Sequence, residues 1–437
     1  MSTNTKAFIG IDAGTTGCTV MIFDEKGNAL GHGYKEYPSE SPYAGWGEQS
    51  LEKVWDGICV ASKQATSQAN LPDDAYVSVG FSSQRGTLCL LDKDKKPLQD
   101  SILWYCTRAR DYPEIFGQHI TPEEYQEHTG MQLSPLWVAA KIAWLRDNKP
   151  DTFEKTAWFA NGQEYFLYLL GADRWETDPA SLTLNGMMDI RKLDWSDRVL
   201  EMCGISRDRV PPVGPPSGMV GKVSKQASEA TGIPEGVILC RGAGDQQCAA
   251  IGAGVIRQGM AEFTVGTAGV MVAHLDSVDR IKGKNLWWGG HGVPNAWDIE
   301  GGAFCLGASL KWWRDNLGLD EVQEAESRNT SPYSVMVDKA QESPAGARGL
   351  LFHSFLASQV TPYYDADSRG GLIGLGNYHT RVDLVRALLE GCAHEMKMVV
   401  DAFQSDIDGG ISTLRLTGGG TKSAGFSQIM TDVIGME

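Results

Sequence analysis

The sequence lacks the features that mark secreted, membrane-embedded and nucleic-acid-binding proteins. None of its nine cysteines falls in a C-x-x-C pair, and apolar surroundings such as Leu88-Cys89-Leu90 indicate buried, reduced thiols. The N-terminal residues carry no apolar signal core, and no apolar run approaches the length of a membrane span. The net charge of −16 opposes binding to nucleic acid through a broad basic face. We therefore expect a cytoplasmic protein with neither a membrane nor a nucleic-acid partner.

Length and composition predict a globular protein of more than one domain. The 437 residues are too many for one core, so two domains, or three, are expected. Apolar residues make up 42% and charged residues 22%, which is ordinary for a globular chain. The proline- and glycine-rich stretch 211–218 is the clearest break. We expect an N-terminal domain over residues 1–235 and a C-terminal domain over residues 236–437.

Four apolar runs end in turns of glycine and small residues. The turns occupy residues 14–17, 242–247, 266–269 and 418–421. An apolar run bounded by glycine is typical of a buried strand that ends in a tight turn. Backbone amides at such turns bind phosphate, so the repetition indicates a phosphate-binding protein.

The first of these turns offers both amides and hydroxyls. The amides of Gly14, Thr15 and Thr16 can wrap a phosphate, and Asp12 can hold Mg²⁺ directly or through water. The alternative is a plain β-hairpin turn. Gly266 and Thr267 repeat the pattern in the second half of the chain, with the same alternative.

Two roles are possible for Asp245, that of a general base and that of a turn former. A carboxylate on a glycine-flanked turn can reach a hydroxyl and act as a general base, but an aspartate after a strand is more often a turn former. The neighbouring Gln246 and Gln247 favour the first interpretation, because side-chain amides both donate to and accept from sugar hydroxyls.

Other polar and aromatic residues extend the candidate site, each with a structural alternative. Gln84 and Arg85 follow a short strand and can reach a polyol or lie in a surface loop. Trp104 can wall a substrate pocket or simply pack. The glycines from Gly418 onward can lie against a nucleotide or form a helix-entry turn.

The coarse pattern of elements predicts an α/β fold with mixed sheets. An antiparallel meander is expected near the N-terminus, with a turn at residues 24–27, and a helix is expected from Ser50. Further helices are predicted at residues 137–145 and from Asp383 onward. Strand–turn–strand units recur in both halves, at residues 8–24 and 237–273.

Taken together, the motifs resemble the FGGY carbohydrate kinases, a family that includes glycerol kinases and xylulokinases. The resemblance covers essentially the whole chain, in family order, through residues 11–16, 45–49, 177–181, 244–247, 307–312, 362–374, 386–391 and 418–428. It implies an actin-like ATPase fold in which two ribonuclease-H-like domains enclose a nucleotide cleft. It also implies an ATP- and Mg²⁺-dependent kinase acting on a sugar or polyol hydroxyl.

The resemblance assigns roles position by position. It implies that Asp245 is the catalytic base and that Asp12 and Asp245 lie beside the metal. Gln84, Arg85, Trp104, Asp245 and Gln246 would face the substrate. The residues that would contact the nucleotide and its phosphates are Gly14, Thr15, Thr16, Gly266, Thr267, Gly307, Lys311, Gly418 and Gly419. Dimers are common in the family, so a homodimer is also an expectation.

The departures from the family pattern concern the substrate and the C-terminal end. Glycerol kinases carry Glu at the position of Gly86 and a tyrosine at the position of Leu136, which argues against glycerol and for a roomier pocket. Xylulokinases carry Met-His where this chain has Gln84-Arg85. The sequence stops just after the adenosine motif, where relatives continue with a strand and a helix, so the C-terminal domain is expected to be truncated.

We predict ATP-dependent phosphorylation of a hydroxyl of a sugar or polyol, which is a ketose such as xylulose or a related small carbohydrate. Two alternatives remain open: a glycerol-kinase-type polyol kinase, and a non-catalytic actin-like protein that binds nucleotide or sugar. Acceptor-dependent release of ADP distinguishes a kinase from a protein that only binds.

Overall fold

The computed structural model describes residues 5–365 and 367–436. Its strands are β1 (Ala7–Ala13), β2 (Gly17–Asp24), β3 (Ala29–Glu36), β4 (Glu48–Gln49), β5 (Tyr76–Ser83), β6 (Cys89–Leu91), β7 (Ser101–Ile102), β8 (Trp158–Ala160), β9 (Met188–Asp189), β10 (Asp194–Trp195), β11 (Met219–Lys222), β12 (Ile238–Gly244), β13 (Met260–Val265), β14 (Gly269–Leu275), β15 (Trp287–Gly290), β16 (Trp297–Ala303), β17 (Leu351–His353), β18 (Gly371–Ile373) and β19 (Thr413–Thr417).

The helices are interspersed with these strands along the chain, as expected for an α/β fold. They are α1 (Leu51–Ala69), α2 (Tyr112–Gly117), α3 (Pro122–Thr129), α4 (Val138–Asn148), α5 (Pro150–Lys155), α6 (Gly162–Leu170), α7 (Pro179–Leu182), α8 (Asp197–Cys203), α9 (Lys225–Thr231), α10 (Asp245–Gly252), α11 (Leu306–Asn316), α12 (Leu319–Arg328), α13 (Pro332–Ala340), α14 (Arg381–Asp406) and α15 (Ala424–Ile434). No helix in the described part of the chain is long and apolar enough to cross a membrane.

The described residues form two compact units. The first contains the described residues up to Cys248 together with Trp288–Trp297, and the second contains the described remainder. The proline-rich stretch 211–218 lies within the first unit, just before β11.

A six-stranded sheet, in the order β11-β12-β5-β1-β2-β3, forms the centre of the first unit. Strands β1, β2 and β3 are the antiparallel meander expected from the sequence. Strands β1, β5 and β12 run parallel to one another, so their carboxyl ends meet at one edge.

Helix α1 covers one face of this sheet, and its sequence explains why it forms. Ser50 caps the helix by accepting a hydrogen bond from the amide of Lys53, and the buried residues recur at helical spacing. The helix lies so close to β3 that a Cβ atom on Gly33 would come within 2.8 Å of the carbonyl carbon of Ala61. The small residues of β3 are therefore required by the packing of α1.

The second unit contains a sheet in which β16, β14, β13 and β19 lie in that order. Strands β13 and β14 form an antiparallel hairpin, and β19 pairs with β13 in parallel. The hairpin repeats the design of β1 and β2, as the sequence predicts. The long helix expected from Asp383 is α14, whose capping box joins Thr380 to Asp383.

Candidate active site

Apart from Trp104, the predicted site residues of the first unit lie at the carboxyl ends of three neighbouring parallel strands. In the sheet register, Asp12 on β1 pairs with Ser82 on β5, and Ser82 pairs with Ala243 on β12. Residues 14–16, 84–86 and 245–246 follow directly where these strands end. Ligands of α/β proteins bind at such strand ends. The structure thus brings together segments that are more than 200 residues apart in the sequence.

A closed set of hydrogen bonds links the first turn to two predicted substrate-facing residues. The indole Nε1 of Trp104 donates to Thr15 Oγ1 over 3.0 Å, and Thr15 Oγ1 donates to Gln84 Oε1 over 2.7 Å. Gln84 Nε2 in turn donates to Gln49 Oε1 over 3.0 Å, and Gln49 Nε2 donates to the Thr15 carbonyl over 2.8 Å. Gln49 therefore orients this part of the site, although its sequence motif alone assigned it no role.

Asp12 is the penultimate residue of strand β1, directly before the glycine turn at residues 14–17. Ser82 Oγ donates a 2.7 Å hydrogen bond to Asp12 Oδ1. Burial raises the pKa of the Asp12 carboxyl, and the hydrogen bond from Ser82 opposes that rise. The residue nevertheless remains accessible to solvent. A carboxylate that is accessible but poorly hydrated is suited to a bound cation.

Asp245 is the first residue of helix α10, not part of a tight loop as its glycine-rich surroundings indicated. Strand β12 runs to Gly244 and the helix begins at the next residue. The Gln246 amide donates to Asp245 Oδ1 over 2.8 Å, and the Nε atom of Arg85 lies 3.8 Å from the same oxygen. The Asp245 side chain is 35% exposed, whereas that of Arg85 is 2% exposed. Asp245 is therefore a reachable carboxylate fixed beside a buried guanidinium.

Gly244 explains how Arg85 fits beside this carboxylate. A Cβ atom at position 244 would lie 2.5 Å from Arg85 Cγ, which is far inside van der Waals contact. The glycine thus leaves the space that the arginine side chain occupies.

In the second unit, the turn after β13 contacts the start of α11. The Gly307 amide donates to the Gly266 carbonyl over 3.0 Å, and the Ala308 amide donates to the Thr267 carbonyl over 2.9 Å. A Cβ atom on Gly307 would lie 2.5 Å from the Gly266 carbonyl oxygen. Close backbone contact therefore holds Gly266, Thr267 and Gly307 together.

The glycines after β19 lie against the end of strand β13. Gly418, the residue after β19, has a φ of +84°, and a Cβ atom there would lie 2.7 Å from the Val265 carbonyl oxygen. Gly419 begins the short turn Gly419–Lys422. Lys311 lies one helical turn beyond Gly307; its side chain is 60% exposed, and its ammonium forms an ion pair with Asp315.

The described residues contain no group of three or more carboxylate, imidazole or thiol side chains arranged to hold a metal ion. The carboxylates of Asp12 and Asp245 still fit Mg²⁺, since that ion keeps several water ligands and binds through one or two carboxylates together with substrate phosphates.

Family comparison agrees with the fold and the motifs. Residues 7–252 match the N-terminal domain of the FGGY family of carbohydrate kinases, and residues 261–437 match the C-terminal domain. The chain is 27% identical over 434 residues to the gluconokinase of Bacillus subtilis, covering 99% of this chain and 84% of that relative. It is 29% identical over 440 residues to the glycerol kinase of Thermococcus kodakarensis, covering 98% of this chain and 84% of that relative.

The structure is also similar to solved kinases. The xylulose kinase of Rhodospirillum rubrum superposes with a TM-score of 0.89 at 24% identity, covering 99% of this chain and 85% of the other. The fold is therefore the two-domain, actin-like ATPase fold. The family match and the kinase relatives show that the activity is ATP-dependent phosphorylation of a sugar or polyol. With both of its domains matched, the chain belongs to the FGGY family of carbohydrate kinases.

Proposed function

We propose that the acceptor is a ketose such as xylulose, or a related small carbohydrate longer than glycerol. No side chain projects from position 86, where Gly86 has a φ of +67° and a Cβ atom would lie 3.1 Å from Leu184 Cβ. The polar groups left to recognise the acceptor are Arg85, Gln246 and the carboxylate of Asp245. These groups suit a carbohydrate that presents several hydroxyls.

We assign the role of general base to Asp245. The observation that carries this assignment is the partly exposed carboxylate, fixed at the strand ends by the Gln246 amide and beside Arg85. A base must come within hydrogen-bond reach of the proton that it accepts, and this position permits that approach. The hydroxyl proton passes to Asp245 as the oxygen attacks the terminal phosphorus of ATP, and ADP leaves.

Gln246 completes the recognition of the acceptor in this proposal. Its side-chain Oε1 is buried and has no hydrogen-bond partner in the described part of the chain. A buried acceptor without a partner costs free energy, and a substrate hydroxyl supplies the missing donor. Trp104, held by Thr15, gives an apolar wall beside these polar groups.

We propose that the turn at residues 14–16 binds phosphate oxygens through the amides of Thr15 and Thr16, because the Gly14 amide already donates to the Gly17 carbonyl over 3.1 Å. We also propose that Asp12 and Asp245 hold Mg²⁺. The bound Mg²⁺ would neutralise charge on the phosphate oxygens. In the second unit, we assign Gly266, Thr267, Gly307, Lys311, Gly418 and Gly419 to the nucleotide. The glycines carry no side chain, so the ligand can approach their backbone closely.

The test is ADP release measured with a panel of pentuloses, hexuloses, gluconate, polyols and glycerol. We expect turnover that depends on a ketose or a related carbohydrate, and a loss of about 10²–10⁴ in kcat for Asp245→Asn. Asp56→Asn is the matched control, because Asp56 is an exposed carboxylate on α1 of the same unit. Turnover by Asp245→Asn at the wild-type rate excludes Asp245 as the base, and turnover confined to glycerol excludes the ketose proposal.

Two further proposals concern location and assembly. All nine cysteines are free thiols, which supports a reducing compartment such as the cytoplasm. We propose a homodimer because dimers are common in the family. Sedimentation analysis at micromolar concentration tests this proposal.

A further inference from the structure

Lys141 is a lysine enclosed entirely by protein in helix α4. It has 0% exposure, and it interrupts a helix face that otherwise buries alanine, isoleucine and leucine. Its ammonium donates hydrogen bonds to the carbonyls of Gly86, Leu103 and Trp104 over 3.1, 2.8 and 3.1 Å. An ammonium has three N–H groups, so each of them has a carbonyl acceptor.

The three carbonyls belong to the two segments that carry the proposed acceptor-binding groups. Gly86 follows Arg85 directly, and the third carbonyl belongs to Trp104 itself. Further along, the segments are joined by two backbone hydrogen bonds between Leu88 and Ile102. The ammonium of Lys141 therefore joins the two segments at Gly86 and at Leu103–Trp104, the end that lies next to the proposed acceptor-binding groups.

A buried charge is costly, and a methionine or leucine would fill the same volume without that cost. The contacts of Lys141 therefore do more than fill the core. Since Gly86 has a φ of +67°, its carbonyl belongs to a tight turn that no regular ladder of hydrogen bonds holds. The lysine supplies the missing donor at that turn.

We propose that Lys141 is a positioning residue, which fixes the 84–86 turn and Trp104 against each other so that Arg85 stays beside Asp245 and the exposed indole presents a rigid surface to the acceptor. This inference rests on the proposed function of the site. It assigns a role in acceptor binding to a residue that does not itself touch the acceptor.

The surroundings of the ammonium make this role sensitive to pH. Burial lowers the pKa of Lys141 to about 7; the nearby Cys106 thiol opposes that change and the Arg108 guanidinium adds to it. Above that pH the neutral amine keeps only two donors for three carbonyls. The acceptor KM of the wild-type enzyme is therefore expected to rise between pH 6 and pH 9, and to do so less in a variant without the lysine.

The first experiment measures backbone protection without reference to catalysis. Hydrogen–deuterium exchange is compared in the wild type, Lys141→Met, Lys141→Gln and Ile142→Val. Ile142→Val is the matched control, because Ile142 is the next residue on α4 and is also fully buried. We expect faster exchange of amides at residues 84–88 and 103–106 in Lys141→Met, a smaller change in Lys141→Gln, whose amide still donates, and none in the control.

The second experiment uses the best acceptor from the panel with each folded variant. We expect the acceptor KM of Lys141→Met to rise by about tenfold to a hundredfold, because small misplacements of binding groups are costly, while the KM for ATP stays near the wild-type value. Equal rises in both KM values, or wild-type exchange in residues 84–88 and 103–106, overturn the proposal.

The two experiments separate this proposal from the one on which it rests. If Lys141→Met does not fold, Lys141→Gln and the pH dependence of the wild-type acceptor KM decide the question. If the wild type turns over no acceptor, the proposed function fails, while the exchange experiment still shows whether Lys141 fixes the two segments.

Discussion

The substitution Gly244→Ala tests how tightly Arg85 is packed beside the proposed base. The new methyl group would lie 2.5 Å from Arg85 Cγ, and the arginine side chain is only 2% exposed, so it has no open space to move into. Overpacking of this kind typically costs about 1–3 kcal/mol. For a unit of this size, that loss lowers Tm by roughly 2–12 °C.

The same substitution is expected to impair acceptor binding. Displacing Arg85 removes the guanidinium from its position 3.8 Å from Asp245, so we expect the acceptor KM to rise by at least about tenfold. Differential scanning calorimetry and initial-rate kinetics measure the two effects.

Gly252→Ala is the matched control for the entropic effect of adding a methyl group. Gly252 ends helix α10, which begins at the residue after Gly244, and no atom lies within 4 Å of a Cβ built at position 252. The control is expected to be neutral or to gain about 0.4–1 kcal/mol, because alanine reduces the freedom of the unfolded chain. A Gly244→Ala enzyme with the Tm and acceptor KM of the wild type refutes the packing argument.

Two further predictions concern the second unit. Burial raises the pKa of Glu395 to about 7, although Ser354 donates to it, so the folded state holds a proton that the unfolded state releases near pH 4.5. As the pH rises from 5 to 8, the free energy of unfolding of the wild type should therefore fall relative to that of Glu395→Gln, by up to about 3 kcal/mol. Urea unfolding of both proteins at both pH values measures this change. A difference in free energy of unfolding that is the same at pH 5 and pH 8 contradicts the prediction. Gly307→Ala should raise the KM for ATP but not the acceptor KM, because its Cβ would lie 2.5 Å from the Gly266 carbonyl oxygen; initial rates with each substrate varied check this, and equal effects on both count against it.

Elements with strong local patterns were predictable from the sequence. Helix α1 has a serine cap and a regular apolar face, and the hairpins β1–β2 and β13–β14 have glycine turns between apolar runs. In each case the information lies within about twenty residues, so periodicity and turn chemistry are sufficient.

Features that depend on contacts between distant residues are harder to predict from the sequence. The stretch Gly242-Ala243-Gly244 reads as a turn, yet it continues β12 because β5 pairs with it and Arg85 packs on it. Lys141 reads as one cation in a helix, and only the fold shows that carbonyls from two other segments surround it. Its position among buried apolar residues was the one local indication.

The parallel alignment of β1, β5 and β12 also determines when, during folding, the proposed active site is complete. The aspartates at positions 12 and 245 come together only after a chain of more than 200 residues has closed between them. Closing so distant a pair has an entropic cost that local elements such as α1 do not share, so it follows their formation. On the ribosome, the meander β1–β3 is therefore synthesised long before the proposed catalytic centre can be complete. Recovery of turnover during refolding therefore reports a late event, the arrival of β12 in the sheet.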